Sequence, residues 1–190
     1  MKINKAIRKQ KKSYKRFMLT MSFIFLLLPS VLYFSHEFHT FIIAYLVFIE
    51  VLIIIVMFIK LDKEYLKYKI DTKIRVINGI CGGRYVVPCD KVDMVHTLKD
   101  GGDLRIIIVL RSKFRNSKIK LVGPYFIKRQ KWIKKYYEDL KEKSIFNQCY
   151  YFVIYKGGYN KYELLDSIYR NCVQAHFTDD CIKRIKEYRE

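Results

Sequence analysis

FMLTMSFIFLLLPSVLYFSHEFHTFIIAYLVFIEVLIIIVMFI, residues 17–59, decides how the rest of the chain is read. It contains two apolar runs, 17–34 and 41–59, with six residues between them. A helix needs about 20 apolar residues to cross a hydrocarbon core of about 30 Å. The runs offer 18 and 19, and each reaches that length with its flanks. The first carries no charge and the second carries only Glu50. A signal peptide is disfavoured, because its apolar part is about 7–15 residues and ends at small residues. Here Tyr33, Phe34, Ser35 and His36 follow instead. The pattern predicts a two-helix transmembrane hairpin in the cell membrane.

Outward from the hairpin, charge sets the orientation. Residues 1–16 form a basic arm with eight Lys and Arg and no acid. Lys60, Lys63, Lys67 and Lys69 follow the second run, and the connecting loop has no Lys or Arg. By the positive-inside rule both termini face the cytoplasm. The five cysteines, Cys81, Cys89, Cys149, Cys172 and Cys181, all lie beyond residue 60. An odd count without C-x-x-C spacing predicts reduced thiols. Cys172, His176 and Cys181 lack a fourth ligand, so no metal site is expected. No cofactor is expected either.

Glu50 sits mid-run, where a charged carboxylate is costly. It is read as an intramembrane polar contact that specifies helix assembly, including a homo-oligomer, with ion or proton transport as the competing reading. Pro29 is expected to kink or thin the outer end of the first helix.

Residues 60–68 read as a juxtamembrane connector. Beyond them about 130 residues remain, enough for one domain with a core. Residues 69–77 alternate: Ile70, Thr72, Ile74 and Val76 on one face, Lys69, Lys73 and Arg75 on the other. This predicts a half-buried strand. Further strands are expected at 84–87, 91–98, 104–111 and 118–122, with turns at Asn78-Gly79, Gly82-Gly83 and Asp100-Gly101-Gly102-Asp103. In 125–143, Phe126, Ile133, Tyr137 and Leu140 recur at helical spacing. The expected order is five strands in a meander, then an amphipathic helix. A β-α-α tail follows over 144–190: a strand at 150–155, a helix at 162–173 with Leu165, Ile168 and Tyr169 inward, and a last helix capped by Thr178.

Three stretches, YVVPCDKVDMV (85–95), DLRIIIVLRS (103–112) and KIKLVGPYFIKRQKWIKKYYEDL (118–140), follow the two-helix anchor. Together they resemble the bacterial pleckstrin-homology-like membrane proteins. The resemblance covers 69–143 and implies an α+β membrane protein with a PH-like antiparallel β-barrel and an amphipathic helix. It implies a scaffold or binding module. The segment 145–190 departs from that plan.

The net charge is +19. Residues 111–135 hold ten basic residues and no acid, and with the arm they account for 18 of the 37 Lys and Arg. Juxtamembrane cations are drawn to anionic lipid at about 1 kcal/mol each. The candidate lipid- or partner-binding residues are Arg111, Lys113, Arg115, Lys128, Arg129, Lys131, Trp132 and Lys135. The expected partners are anionic phospholipid or a membrane or cytoplasmic protein. Nucleic acid is disfavoured by the membrane tether and by the lack of a reading motif. No G-x-S-x-G, H-E-x-x-H or P-loop occurs, so no enzymatic activity is expected and no catalytic residue is assigned. The alternative is a small subunit of a transport or secretion assembly that uses the hairpin and Glu50.

Overall fold

The computed structural model describes residues 3–36, 39–100, 103–123, 126 and 149–190. Among the described residues the architecture is α+β: two long apolar helices, then two sheets with two further helices. Helix α1 (Ile3–Ser35) has 33 residues and α2 (Thr40–Glu64) has 25. Both are long and apolar enough to cross a membrane, with mean hydropathies of 2.1 and 3.1 over their best windows. Their apolar side chains point outward; Phe23, Leu26, Phe48 and Ile59 are each about 60% exposed. Pro29 lies inside α1, which runs on past it to Ser35.

The basic arm is part of α1. At 1.5 Å per residue the helix is about 50 Å long, well beyond the hydrocarbon thickness. Its first turns bury Ile3, Ala6 and Ile7 against the folded domain. Their spacing puts them on one helix face, while Lys5, Arg8, Lys9, Lys11 and Lys12 stay exposed.

A first sheet of three antiparallel strands, β1 (Leu66–Ile70), β2 (Lys73–Asn78) and β3 (Gly83–Pro88), follows α2. Residues 69–77 are therefore a hairpin and not one strand. Ile70 pairs with Ile74, so Asp71, Thr72 and Lys73 make the connection. Facing partners share a face, so the alternation runs through the turn unbroken and reads as a single strand in the sequence. Pro88 has no N–H to extend the ladder. A short 3-10 turn (Cys89–Lys91) then carries the chain to the second sheet.

That sheet contains β4 (Val92–Asp100), β5 (Asp103–Leu110), β6 (Lys120–Leu121), β7 (Tyr150–Ile154) and β8 (His176–Phe177), in the order β6-β7-β5-β4-β8. Among the described residues only β4 and β8 pair in parallel. Among the described residues the strands form two sheets, not one continuous meander, and no barrel closes. The expected helix over 125–143 lies outside the described residues, apart from Phe126, which stacks on Tyr151 with centroids 3.9 Å apart.

The inner faces of the two sheets meet through Ile74, Val76 and Val87 on one side and Ile106, Ile108 and Ile154 on the other, all fully buried. Tyr85 stacks on Phe152 across this interface at 4.4 Å. Helix α3 (Asn160–Asn171) adds Leu164, Leu165 and Ile168 to the same core, and α4 (Asp179–Arg189) adds Cys181 and Ile185. The last forty residues thus share the sheet and core of the preceding strands. Tyr169, expected inward, is 39% exposed and meets the edge of Phe177 instead. Thr178 stands at the start of α4 without a side-chain cap bond; its hydroxyl lies 2.9 Å from His96 Nδ1. Cys89 and Cys172 form a disulfide that ties the 3-10 turn to the end of α3, against the expectation of thiols throughout. Cys81, Cys149 and Cys181 are free.

Candidate functional site

Where α2 ends, the helices and the domain are bonded together. Asp62, in the last turns of α2, accepts N–H bonds from Ile80 (2.8 Å) and Cys81 (3.1 Å) in the β2–β3 turn. It also pairs with Lys156, which follows β7. The amide of Gly79 donates to the Tyr65 carbonyl, and that of Gly157 to the Lys63 carbonyl, both at 2.9 Å. From α1, the Gln10 amide donates to Glu64, and its Oε1 accepts from the Tyr159 amide at 2.8 Å. Asn78, fully buried, donates to the Val153 carbonyl and accepts from the Lys156 amide. Both helices and both sheets therefore converge on one joint.

Two glycines make room for it. Gly79 has φ +83° and Gly158 φ +51°, in the left-handed region that side chains other than glycine avoid. A Cβ on Gly79 would overlap Lys156 and Asp62, and one on Gly158 would overlap Gln10. The Asn78-Gly79 turn signal is visible in the sequence; its role in the joint is not.

The cations expected to form the contact surface divide. Arg111 donates from Nε to Asp93 at 2.7 Å, and Asp93 is 3% exposed. Its charge is committed to a buried carboxylate within the domain. Lys113 and Arg115 are exposed in the loop between β5 and β6. Lys128, Arg129, Lys131, Trp132 and Lys135 lie outside the described residues.

A second cationic surface lies on the outer face of the three-stranded sheet. Lys67, Lys69, Lys73, Arg75 and Arg84 are exposed there, around Ile77 and Val86. The register sets Lys69 opposite Arg75, Ile77 between Lys67 and Arg84, and Val86 beside Arg75. These seven positions include no acid. All of them but Lys73 border a groove of about 360 Å³. Like charges directly opposite across a strand pair are destabilising, so the Lys69–Arg75 pair is not explained by sheet stability. Asp71 reaches Lys69 at 3.6 Å, but both side chains are largely exposed and such a pair contributes little. The signal was in the sequence, as the polar half of the 69–77 alternation.

Glu50 is half-buried midway along α2. Among the described residues no group of three or more His, Cys, Asp or Glu gathers to hold a metal. Burial pushes the Cys181 thiol up to about 12 and raises that of Cys149, which keeps both thiols protonated. Lys161 is fully buried, its ammonium donating to Asp103 (2.7 Å) and to the Tyr155 carbonyl (2.8 Å). Burial lowers its pKa, and the Asp103 contact opposes that shift.

No protein-family model, curated protein or solved structure matches this chain.

Proposed function

We propose that the chain is a non-enzymatic, membrane-anchored module whose cytoplasmic domain, of pleckstrin-homology-like plan, binds anionic inner-leaflet lipid through a cationic surface. The observation that carries this reading is the row of five cations, with Asp71 beside Lys69 at the β1–β2 turn, on the sheet that leads directly out of α2. Five cations near an anionic surface gain roughly 1 kcal/mol each before screening. Lys113 and Arg115 extend the surface through the β5–β6 loop. The cytoplasmic orientation rests on the basic flanks. A disulfide marks an oxidising compartment, but one bridge weighs less than eight basic residues before the first apolar run and four just after the second.

Amine-reactive footprinting of the full chain in nanodiscs tests the reading. Lys67, Lys69 and Lys73 should react several-fold more slowly in discs rich in phosphatidylglycerol than in phosphatidylcholine discs, and 0.5 M salt should remove the difference. Equal reactivity in both discs would refute it, and protection only by a stoichiometric protein would make the partner a protein. The second reading, a subunit of a transport or secretion assembly, rests on Glu50. Crosslinked oligomers lost on Glu50→Gln would favour it.

A further inference from the structure

A pocket of about 460 Å³ lies between the end of α2 and the upper edge of the five-stranded sheet. One wall is Ile59 and Lys63; the other is Asp103 and Arg105 of β5 with Tyr155 and Lys156 after β7. We infer that this pocket holds the headgroup of one anionic phospholipid of the inner leaflet. The inference rests on the membrane reading above, but uses a different surface from the sheet face.

Depth comes first. Ile59 is the last residue of the second apolar run, 60% exposed. Lys63 lies one helical turn further, about 6 Å along the axis. The pocket therefore begins where the hydrocarbon ends and extends over the thickness that phosphates occupy. Acyl chains from a lipid seated there would run up α2 over Ile59 and Ile55, both exposed. A soluble anion would leave that apolar rim in water.

Charge comes second. The two acids in the pocket are already engaged, Asp62 by Lys156 and two amides, and Asp103 by Lys161. The lining carries Lys63, Arg105 and Lys156 against Asp62 and Asp103, a net charge of +1. Lys63 and Arg105 are both exposed at the mouth, on opposite walls. A phosphodiester between them would meet an ammonium on one side and a guanidinium on the other.

Construction comes third. The walls are fixed before a ligand arrives. Lys161 bonds Asp103 on β5 and the Tyr155 carbonyl after β7, so it holds the sheet side of the pocket in one piece. Asp62 and Lys156 bond that piece to α2. The Tyr155 ring, 47% exposed with Lys156 Nζ 5.6 Å from its centroid, is the amphipathic aromatic that membrane interfaces favour.

The test compares two double charge reversals of equal size, Lys63→Glu/Arg105→Glu in the pocket and Lys183→Glu/Lys186→Glu on the exposed side of α4. All four side chains are exposed, so the fold should tolerate either pair, and Lys63→Gln/Arg105→Gln is a milder check. The full chain is released from nanodiscs containing equal phosphatidylglycerol and phosphatidylcholine, and retained lipid is counted by native mass spectrometry. Wild type and the α4 variant should keep one phosphatidylglycerol. The pocket variants should keep at least tenfold less. Millimolar glycerol phosphate should not displace the lipid; displacement would overturn the assignment in favour of a soluble phosphate site. Retention by the pocket variants at the wild-type level would also overturn it. Loss in the α4 variant alone would do so too. No lipid preference in wild type would defeat the inference, and footprinting would then decide the broader reading by itself.

Discussion

Replacing Asp62 with alanine removes three contacts from one carboxylate. Two are amide donations, from Ile80 and Cys81, and one is the Lys156 ammonium. A hydrogen bond to a charged acceptor is worth about 1.5–3 kcal/mol when buried. Ile80 and Cys81 lie in an exposed turn, so water replaces part of each bond and about 1 kcal/mol apiece remains. Lys156 is 14% exposed and Asp62 19%. Breaking a fully buried pair costs about 3–5 kcal/mol; here the ammonium can swing toward water, and about 1–2 kcal/mol is reasonable. The total of about 3–4 kcal/mol is several hundred-fold in the local opening equilibrium. Asp62→Asn keeps the oxygen for the two amides and loses only the ion pair, so it should cost about 1–2 kcal/mol. Amide hydrogen exchange of the full chain in nanodiscs reads this directly. Exchange at Ile80 and Cys81 should quicken in the order wild type, Asp62→Asn, Asp62→Ala. Wild-type exchange at both amides in Asp62→Ala would refute the reasoning, because the joint would then be held by something other than this carboxylate.

Three further outcomes follow from the same structure. Gly79→Ala should lower the unfolding midpoint in mild detergent by the equivalent of roughly 2 kcal/mol, from left-handed strain plus the overlap with Lys156 and Asp62; an unchanged midpoint would contradict the φ at this turn. Burial holds the His96 imidazole at about 4 when folded, with the Asp180 charge opposing weakly, against about 6.5 in the unfolded chain. Above pH 6.5 both states are neutral and stability is full; between 6.5 and 4 only the unfolded chain gains the proton, so stability should fall by roughly 3 kcal/mol, and His96→Gln should flatten that part of a chemical-denaturation profile. Ile108→Ala opens a cavity between the two sheets at a fully buried site and should cost about 2–5 kcal/mol, measured by the same unfolding assay.

The hairpin and most strands were legible because each rests on a local pattern. Long uncharged runs and period-two alternation need no knowledge of what lies across the fold. The joint had no such signature. Gln10 and Tyr159 are 149 residues apart, Asp62 and Lys156 are 94 apart, and each charged member looks like an ordinary surface residue. Two of the Asp62 partners are backbone amides, which every residue carries. The Arg111 pairing was hidden for a related reason: its acid, Asp93, lies on the neighbouring strand, 18 residues earlier. The hydroxyl of Thr178 was spent on His96, 82 residues away, and not on its own helix. The cationic sheet face was half-legible: its alternation was read, but β3, which adds Arg84 and Val86, had to be placed beside β2 before a surface existed.

The continuity of α1 has a mechanical meaning. The helix runs as one rod from the buried Ile3 to Ser35, and its inner end is seated in the domain core. A rod fixed at one end turns its load whenever it leans. On the proposed membrane reading, a thinner bilayer would make the hairpin lean to match its apolar length, and a lean of about 10° would move the end of a 50 Å rod by roughly 9 Å. With Gln10, Asp62 and Glu64 fastening both helices to the sheets, that displacement cannot be absorbed in a slack linker. The attitude of the domain to the membrane plane would then follow bilayer thickness.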